Sequence, residues 1–246
     1  MTGSSPRAQR LIDPYFRWRG SSVSRLEAFS DAVFAIVLAL LFLRAAPPET
    51  FRDLEVAMKA LVPFAASFAI VAYVWVEHWI FARRYDLQDG LTCFLNLVLL
   101  FLLLFYAYPL KFLFTLVSVA MFGPIGTTTR ESLLQGFEGF DDWVKLFALY
   151  GVGYGLMFLV LGAMYWRALR LAAPLELDRC ERFLTRSAIL QCVIQASVAG
   201  LSIALAATGL GVNAGLPGWI YALLGPVMAA HGSWQHRRLR RISTLH

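Results

Sequence analysis

Residues 24–47, SRLEAFSDAVFAIVLALLFLRAAP, decide how the rest of the chain is read. From Ala32 to Leu43 no side chain is polar, yet Arg25, Glu27, Ser30 and Asp31 crowd the two turns before. A signal peptide is the competing reading, but Asp31 would lie inside its apolar region and Arg44 would spoil the cleavage site. The run is therefore a membrane span with a charged entrance. On a helix of about 100° per residue, Arg25, Phe29, Ile36, Leu40 and Leu43 share an arc of about 60°. Asp31 lies about 120° or more from Arg25 on the same wheel, so the two do not pair within one helix. Glu27 and Asp31, four apart, repel mildly. Arg25 and Asp31 each need partners on other helices.

The whole chain repeats the message of that stretch. It has 246 residues, 59% hydrophobic and only 15% charged, where a soluble domain has roughly a quarter charged. A bilayer core takes about 20 apolar residues of helix. Six runs qualify, at about 26–43, 56–82, 91–122, 143–166, 187–210 and 218–235. The expected fold is all-α, a polytopic membrane protein with six transmembrane helices in one six-helix repeat. Every other connection is rich in arginine. One side collects sixteen Lys and Arg, among them Arg83, Arg84, Arg167, Arg170, Arg179, Arg182, Arg186 and Arg237, against six on the other. The excess of positive charge places both termini in the cytoplasm, with the protein in the cell (inner) membrane. Residues 1–22, with PYFRWRG near their end, read as a disordered cytoplasmic tail with a membrane-surface anchor, 23–236 as the six-span membrane domain, and 237–246 as a basic cytoplasmic tail.

Several function classes drop out. No basic face on a soluble domain is present for nucleic acid. Cys93, Cys180 and Cys192 lack metal-ligand or redox spacing, so no metal site and no cofactor are expected. HExxH, GxSxG and paired catalytic aspartates are absent from the sequence, and no enzyme is expected. The glycines of GVGYGLMFLVLG (151–162) lie inside an apolar run, where Gly151 and Gly155 suit close helix packing rather than phosphate binding.

Polar residues recur at one depth. Trp75, Glu77 and His78 lie near the basic end of the second run and Asn96 near the start of the third. With Ser30 and Asp31 they fit one buried hydrogen-bonded cluster tying the first span to its neighbours. Such a cluster is either a folding clamp or a site, since an ionisable residue within a membrane is a functional candidate by default.

The string Arg25-Leu26-Glu27-Ala28-Phe29-Ser30-Asp31 reads RxxxFSD. It resembles the signature of the transmembrane-protein-175 family, the endosomal and lysosomal potassium channels and their bacterial relatives. Trp75, His78, Asn96 and Pro109 add to the resemblance, which is good over 24–110 and weak beyond. It implies a potassium-permeable leak channel, proton-permeable in some members, whose ions are potassium and also sodium or protons. The first span would line the pore, with Ile36 at the constriction and Leu40 and Leu43 as further apolar layers. Arg25, Phe29, Ser30, Asp31, Trp75, His78 and Asn96 would form the polar network of that helix. A single repeat per chain implies a homotetramer in the lipid bilayer. Ala39 stands where many bacterial relatives carry threonine, which lowers the expected selectivity. The rival is a proton-coupled transporter using Asp31, Glu77 and His78.

Overall fold

The computed structural model describes residues 13–20, 22–42, 48–210 and 215–243, and every extended element in them is a helix. In chain order these are α1 (Arg25–Phe42), α2 (Phe51–Tyr85), α3 (Gly90–Phe122), α4 (Arg130–Leu133), α5 (Phe140–Arg170), α6 (Arg179–Thr208), α7 (Leu216–Trp219) and α8 (Leu224–Ser243), with a 3₁₀ turn at Ile220–Leu223 before α8. Leu43 and Arg44 lie outside the described residues.

Helix ends follow local chemistry. Thr50 caps α2: its hydroxyl accepts from the Asp53 N–H at 3.1 Å, and Asp53 accepts from the Thr50 N–H at 3.0 Å. Asp178 and Glu181 exchange the same pair of bonds at the start of α6, at 2.7 and 3.1 Å. These reciprocal boxes satisfy N–H groups that a helix leaves orphaned. The 83–90 hairpin is closed by Asp86 in the left-handed region (φ 48°), its N–H bonded to Ala82 O.

Helices α2, α3, α5 and α6 are long and apolar enough to cross a membrane. At about 1.5 Å per residue, each of them exceeds a hydrocarbon core of about 30 Å. The described part of α1 carries three charged residues in 18 positions. α8 turns polar from His231 onward. The sixth apolar run is broken by the 3₁₀ turn, before Gly225-Pro226, and Pro226 sits in the first turn of α8, where its missing N–H is least costly.

α5 and α6 pack closely along their length. A Cβ on Gly151 would stand 2.5 Å from Ile203 and 3.2 Å from the Ala199 carbonyl of α6, while on the α3 side one on Gly153 would collide with the Tyr106 ring. Removing the side chain is what lets these backbones approach. Tyr106 donates to the Tyr150 carbonyl at 2.6 Å and Tyr150 to the Pro109 carbonyl at 2.7 Å, which ties α3 to α5.

The segment before α1 departs from expectation. Residues 13–20 are docked across the basic end of the bundle. Phe16 is 3% exposed, set edge-on against Tyr85 and beneath the Arg84 guanidinium. Asp13 pairs with Arg84 at 2.8 Å. Arg19 pairs with Glu181 at 2.8 Å, and Glu181 also accepts from the Arg17 N–H. The amides of Arg19 and Gly20 both donate to the Arg83 carbonyl. Aromatic and basic residues looked like a surface anchor because their partners lie far away in sequence.

Candidate functional site

α1 has two faces. Glu27, Ser30, Phe34, Val37 and Leu41 are buried, and they recur at the three- and four-residue spacing of one helical stripe. Ala28, Phe29, Ala32, Ala35, Ile36 and Ala39 are exposed, Ile36 at 53%. Leu40 is half-buried between the two faces.

The buried face is held by three polar ties. Trp75 on α2 donates its indole N–H to Asp31 at 2.9 Å. Asn96 on α3 donates to Ser30 Oγ at 2.9 Å, and His78 Nε2 lies 2.6 Å from Asn96 Oδ1. Ser30 in turn donates to the Leu26 carbonyl at 2.8 Å. Glu27, 6% exposed, pairs with Arg83 at 3.1 Å. The relay thus runs from α2 through α3 to α1. His78 also packs its ring against Phe34, centroids 5.7 Å apart.

Of the residues singled out from sequence, Ser30, Asp31, Trp75, His78 and Asn96 are brought together. Phe29 is 52% exposed and stands outside the relay. Arg25 is exposed, and among the described residues none forms an ion pair with it. Glu77 points elsewhere. It accepts from Gln191 on α6 at 2.7 Å, and Gln191 and Gln195 both donate to Tyr73. Tyr154 on α5 donates to Gln195 at 2.5 Å. One residue along a helix is a rotation of about 100°, so Glu77 and His78 serve different neighbours. Asp31, Glu77 and His78 do not form one relay.

Two features escaped the sequence reading. Glu27 looked like a repelling neighbour of Asp31, whereas Arg83 meets it. The Glu77 network had a visible signal: Gln191 and Gln195 lie four apart inside an apolar run and so share a face. Among the described residues, no group of His, Cys, Asp and Glu is placed to hold a metal.

A bundle of long apolar helices, whose backbone groups bond within each helix, is an integral membrane protein. Residues 25–106 match the model of the family described as Endosomal/lysosomal potassium channel TMEM175. The chain is 37% identical over 234 residues to a protein named Potassium channel from Marivirga tractuosa, covering 94% of this chain and 95% of that one. It also matches the crystal structure of a threonine-to-alanine variant of the potassium channel MtTMEM175, in complex with a nanobody–MBP fusion, with TM-score 0.77, 38% identity, and coverage of 92% of this chain and 98% of that one. The chain belongs to the TMEM175 family.

Proposed function

We propose that this chain is a potassium-permeable cation channel in which α1 lines the conduction path. Ile36 makes the constriction, and Leu40 and Leu43 add apolar layers beyond it. The observation that carries this reading is the division of α1. One face is tied to α2 and α3 by Glu27, Ser30 and Asp31. The opposite face presents Ile36 among alanines, outside the packing of its own chain. A helix anchored in this way is positioned to meet copies of itself.

The assembly is a homotetramer, with four copies of α1 around one axis. Each chain contributes one repeat of six spans: α1, α2, α3, α5, α6 and residues 218–235. Residues 23–236 form the channel domain, flanked by cytoplasmic segments 1–22 and 237–246, in the cell membrane. An apolar ring excludes ions by dewetting when narrow and admits them when widened. A small rotation of α1 does this, and the Ser30–Asn96–His78 relay sets that rotation. Arg25 falls on the side of Ile36 and stands at the cytoplasmic mouth, where a neighbouring copy supplies its counter-charge. Protons and sodium share the path to the extent that Ala39, lacking a hydroxyl, gives little help in replacing a hydration shell.

The test is flux of K⁺, Na⁺ and H⁺ in liposomes carrying the folded tetramer, with Ile36→Asn alongside. Channel-rate K⁺ flux, raised or made less selective in the variant, supports the constriction. Unchanged K⁺ flux and selectivity in the variant remove Ile36 from the path. Absence of flux from both proteins overturns the channel reading and favours a transporter.

A further inference from the structure

α6 and α8 lie side by side with opposite sense. Ser202 donates to the Pro217 carbonyl at 2.7 Å, just before α8. Fifteen residues back along α6, Ser187 donates to Gln235 Oε1 at 3.0 Å and lies 3.1 Å from His231 Nε2. One turn further back, Phe183 sets its ring 5.6 Å from that of Trp234. Lower numbers on α6 thus meet higher numbers on α8, which brings Arg179 level with Arg238. Leu239 is buried, so α8 stays docked to that level.

Each helix turns one stripe to the outside of this seam. Along α6, Arg179, Phe183, Arg186, Leu190 and Val193 follow one another at four- and three-residue steps. Along α8, Val227, Trp234 and Arg238 follow at steps of seven and four. The contact between Phe183 and Trp234 joins the two stripes edge to edge. The joint surface is graded. Leu190, Val193 and Val227 are exposed at the level of the apolar runs. The aromatic pair comes next, and Arg179 and Arg238 lie beyond it. Arg186 starts lower, but its long side chain can carry its charge to the same level. Arg179, Arg186 and Arg238 are exposed, and among the described residues none forms an ion pair with them. No carboxylate is to spare for them on these helices. α8 carries neither Asp nor Glu. Glu181 of α6 is buried against Arg19, and Asp178 is spent on the cap of α6.

We propose that the α6–α8 seam binds an anionic phospholipid, with its phosphate among Arg179, Arg186 and Arg238 and its acyl chains along Leu190, Val193 and Val227. Guanidinium groups match phosphate oxygens with paired hydrogen bonds. Phe183 and Trp234 sit where the headgroup gives way to hydrocarbon, the level that aromatic side chains favour. A zwitterionic headgroup brings its own cation to these arginines and loses most of the attraction. A soluble phosphate lacks the apolar half of the ligand. The site rests on the chain being a membrane protein and does not depend on whether α1 lines a pore.

Native mass spectrometry of the full chain in a neutral detergent tests this, with phosphatidylglycerol and phosphatidylcholine of equal acyl chains as probes. An arginine near an anionic lipid surface contributes roughly five-fold to binding, so the parent should hold phosphatidylglycerol at least about ten-fold more tightly than phosphatidylcholine. The Arg179→Gln/Arg238→Gln double variant should lose about ten-fold or more of that affinity and keep its hold on phosphatidylcholine. Arg170→Gln, at the same end of the molecule but on α5, should bind phosphatidylglycerol as the parent does. High salt should erase much of the preference. Equal affinity of the parent for the two lipids overturns the proposal. So does an equal loss in Arg170→Gln, which would mean a diffuse basic surface. Displacement of the lipid by inorganic phosphate at equal concentration also overturns it, since the site would then be one for free anions. If the double variant does not fold, the comparison of lipids on the parent decides alone.

Discussion

Replacing Asn96 with leucine removes both central bonds of the relay at nearly constant volume. The structure sets the size of the effect. Ser30 keeps its bond to the Leu26 carbonyl, so its hydroxyl is not stranded. His78 Nε2–H, however, loses its acceptor at 2.6 Å in a site 4% exposed. An unsatisfied buried donor costs about 1–3 kcal/mol, while hydrogen bonds between helices in a membrane average about 0.6 kcal/mol and reach about 1.7. The expected loss is thus about 1–2 kcal/mol for Asn96→Leu, since relaxation inside a bilayer takes back part of the penalty. Ser30→Ala should cost about 0.5–1 kcal/mol, the worth of a single bond. The two are coupled: in the Asn96→Leu background, Ser30→Ala has only its local bond left to lose. Reversible unfolding in mixed micelles, run as a double-mutant cycle, should give a coupling of at least about 0.5 kcal/mol. Flux adds a second readout. An anchor weakened by 1–2 kcal/mol shifts a two-state balance by about 5- to 30-fold, so K⁺ flux should change several-fold. Additive stabilities within about 0.3 kcal/mol, together with parental flux in all three variants, would refute the relay as the support of α1.

Two further outcomes follow from the basic end of the bundle. Arg19→Gln leaves Glu181, whose side chain is 2% exposed, with an uncompensated charge; loss of one partner of a buried pair costs about 3–5 kcal/mol. Adding Glu181→Gln should recover much of that loss, as read by thermal melting of the single and double variants. Asp89, in the hairpin outside the spans, is drawn upward by burial, but hydrogen bonds from Thr92 and Arg167 outweigh this and hold its carboxyl below the ordinary 3.8. A depressed carboxylate stabilises the fold above its unfolded value and stops doing so as pH falls through the folded one. The stability gap between the parent and Asp89→Asn should therefore be constant near neutral pH and close below about pH 3.8; a gap that stays constant into strong acid counts against the Arg167–Asp89 pair.

A membrane sequence states depth better than direction. Ser30, Trp75, His78 and Asn96 were visible as one layer because hydropathy fixes how far along a span each residue lies, and spans of opposite sense bring the same depth together. That was enough to find the relay, since each of these residues happens to face a neighbour. Depth alone put Glu77 in the same layer, but it turns to Gln191 on α6. Direction on one helix is also readable: the stripe of Ile36 and Leu40 follows from the 3.6-residue period, and the structure leaves Ile36 exposed. What periodicity omits is the partner each face meets.

The charges show the other limit. Arg83 was counted with the loop residues that orient a membrane protein, and Glu27 was weighed only against its own helix. The structure joins them at 3.1 Å. The same end then gathers Arg19 with Glu181 and Arg84 with Asp13. By composition these arginines read as orientation signals, and by geometry they are structural ties; only the first reading is local enough to make from sequence. Their placement bears on α1 directly. The segment from Asp13 to Gly20 ends five residues before Arg25, and its last two amides are bonded to the carbonyl of Arg83, whose guanidinium holds Glu27. The entrance of α1 is therefore fixed from both sides of one arginine, through its backbone by the docked segment and through its side chain by the first turn. On the proposed reading, a rotation of α1 pivots about that point, with the charged turns at this end of the helix and the proposed constriction at Ile36 beyond them.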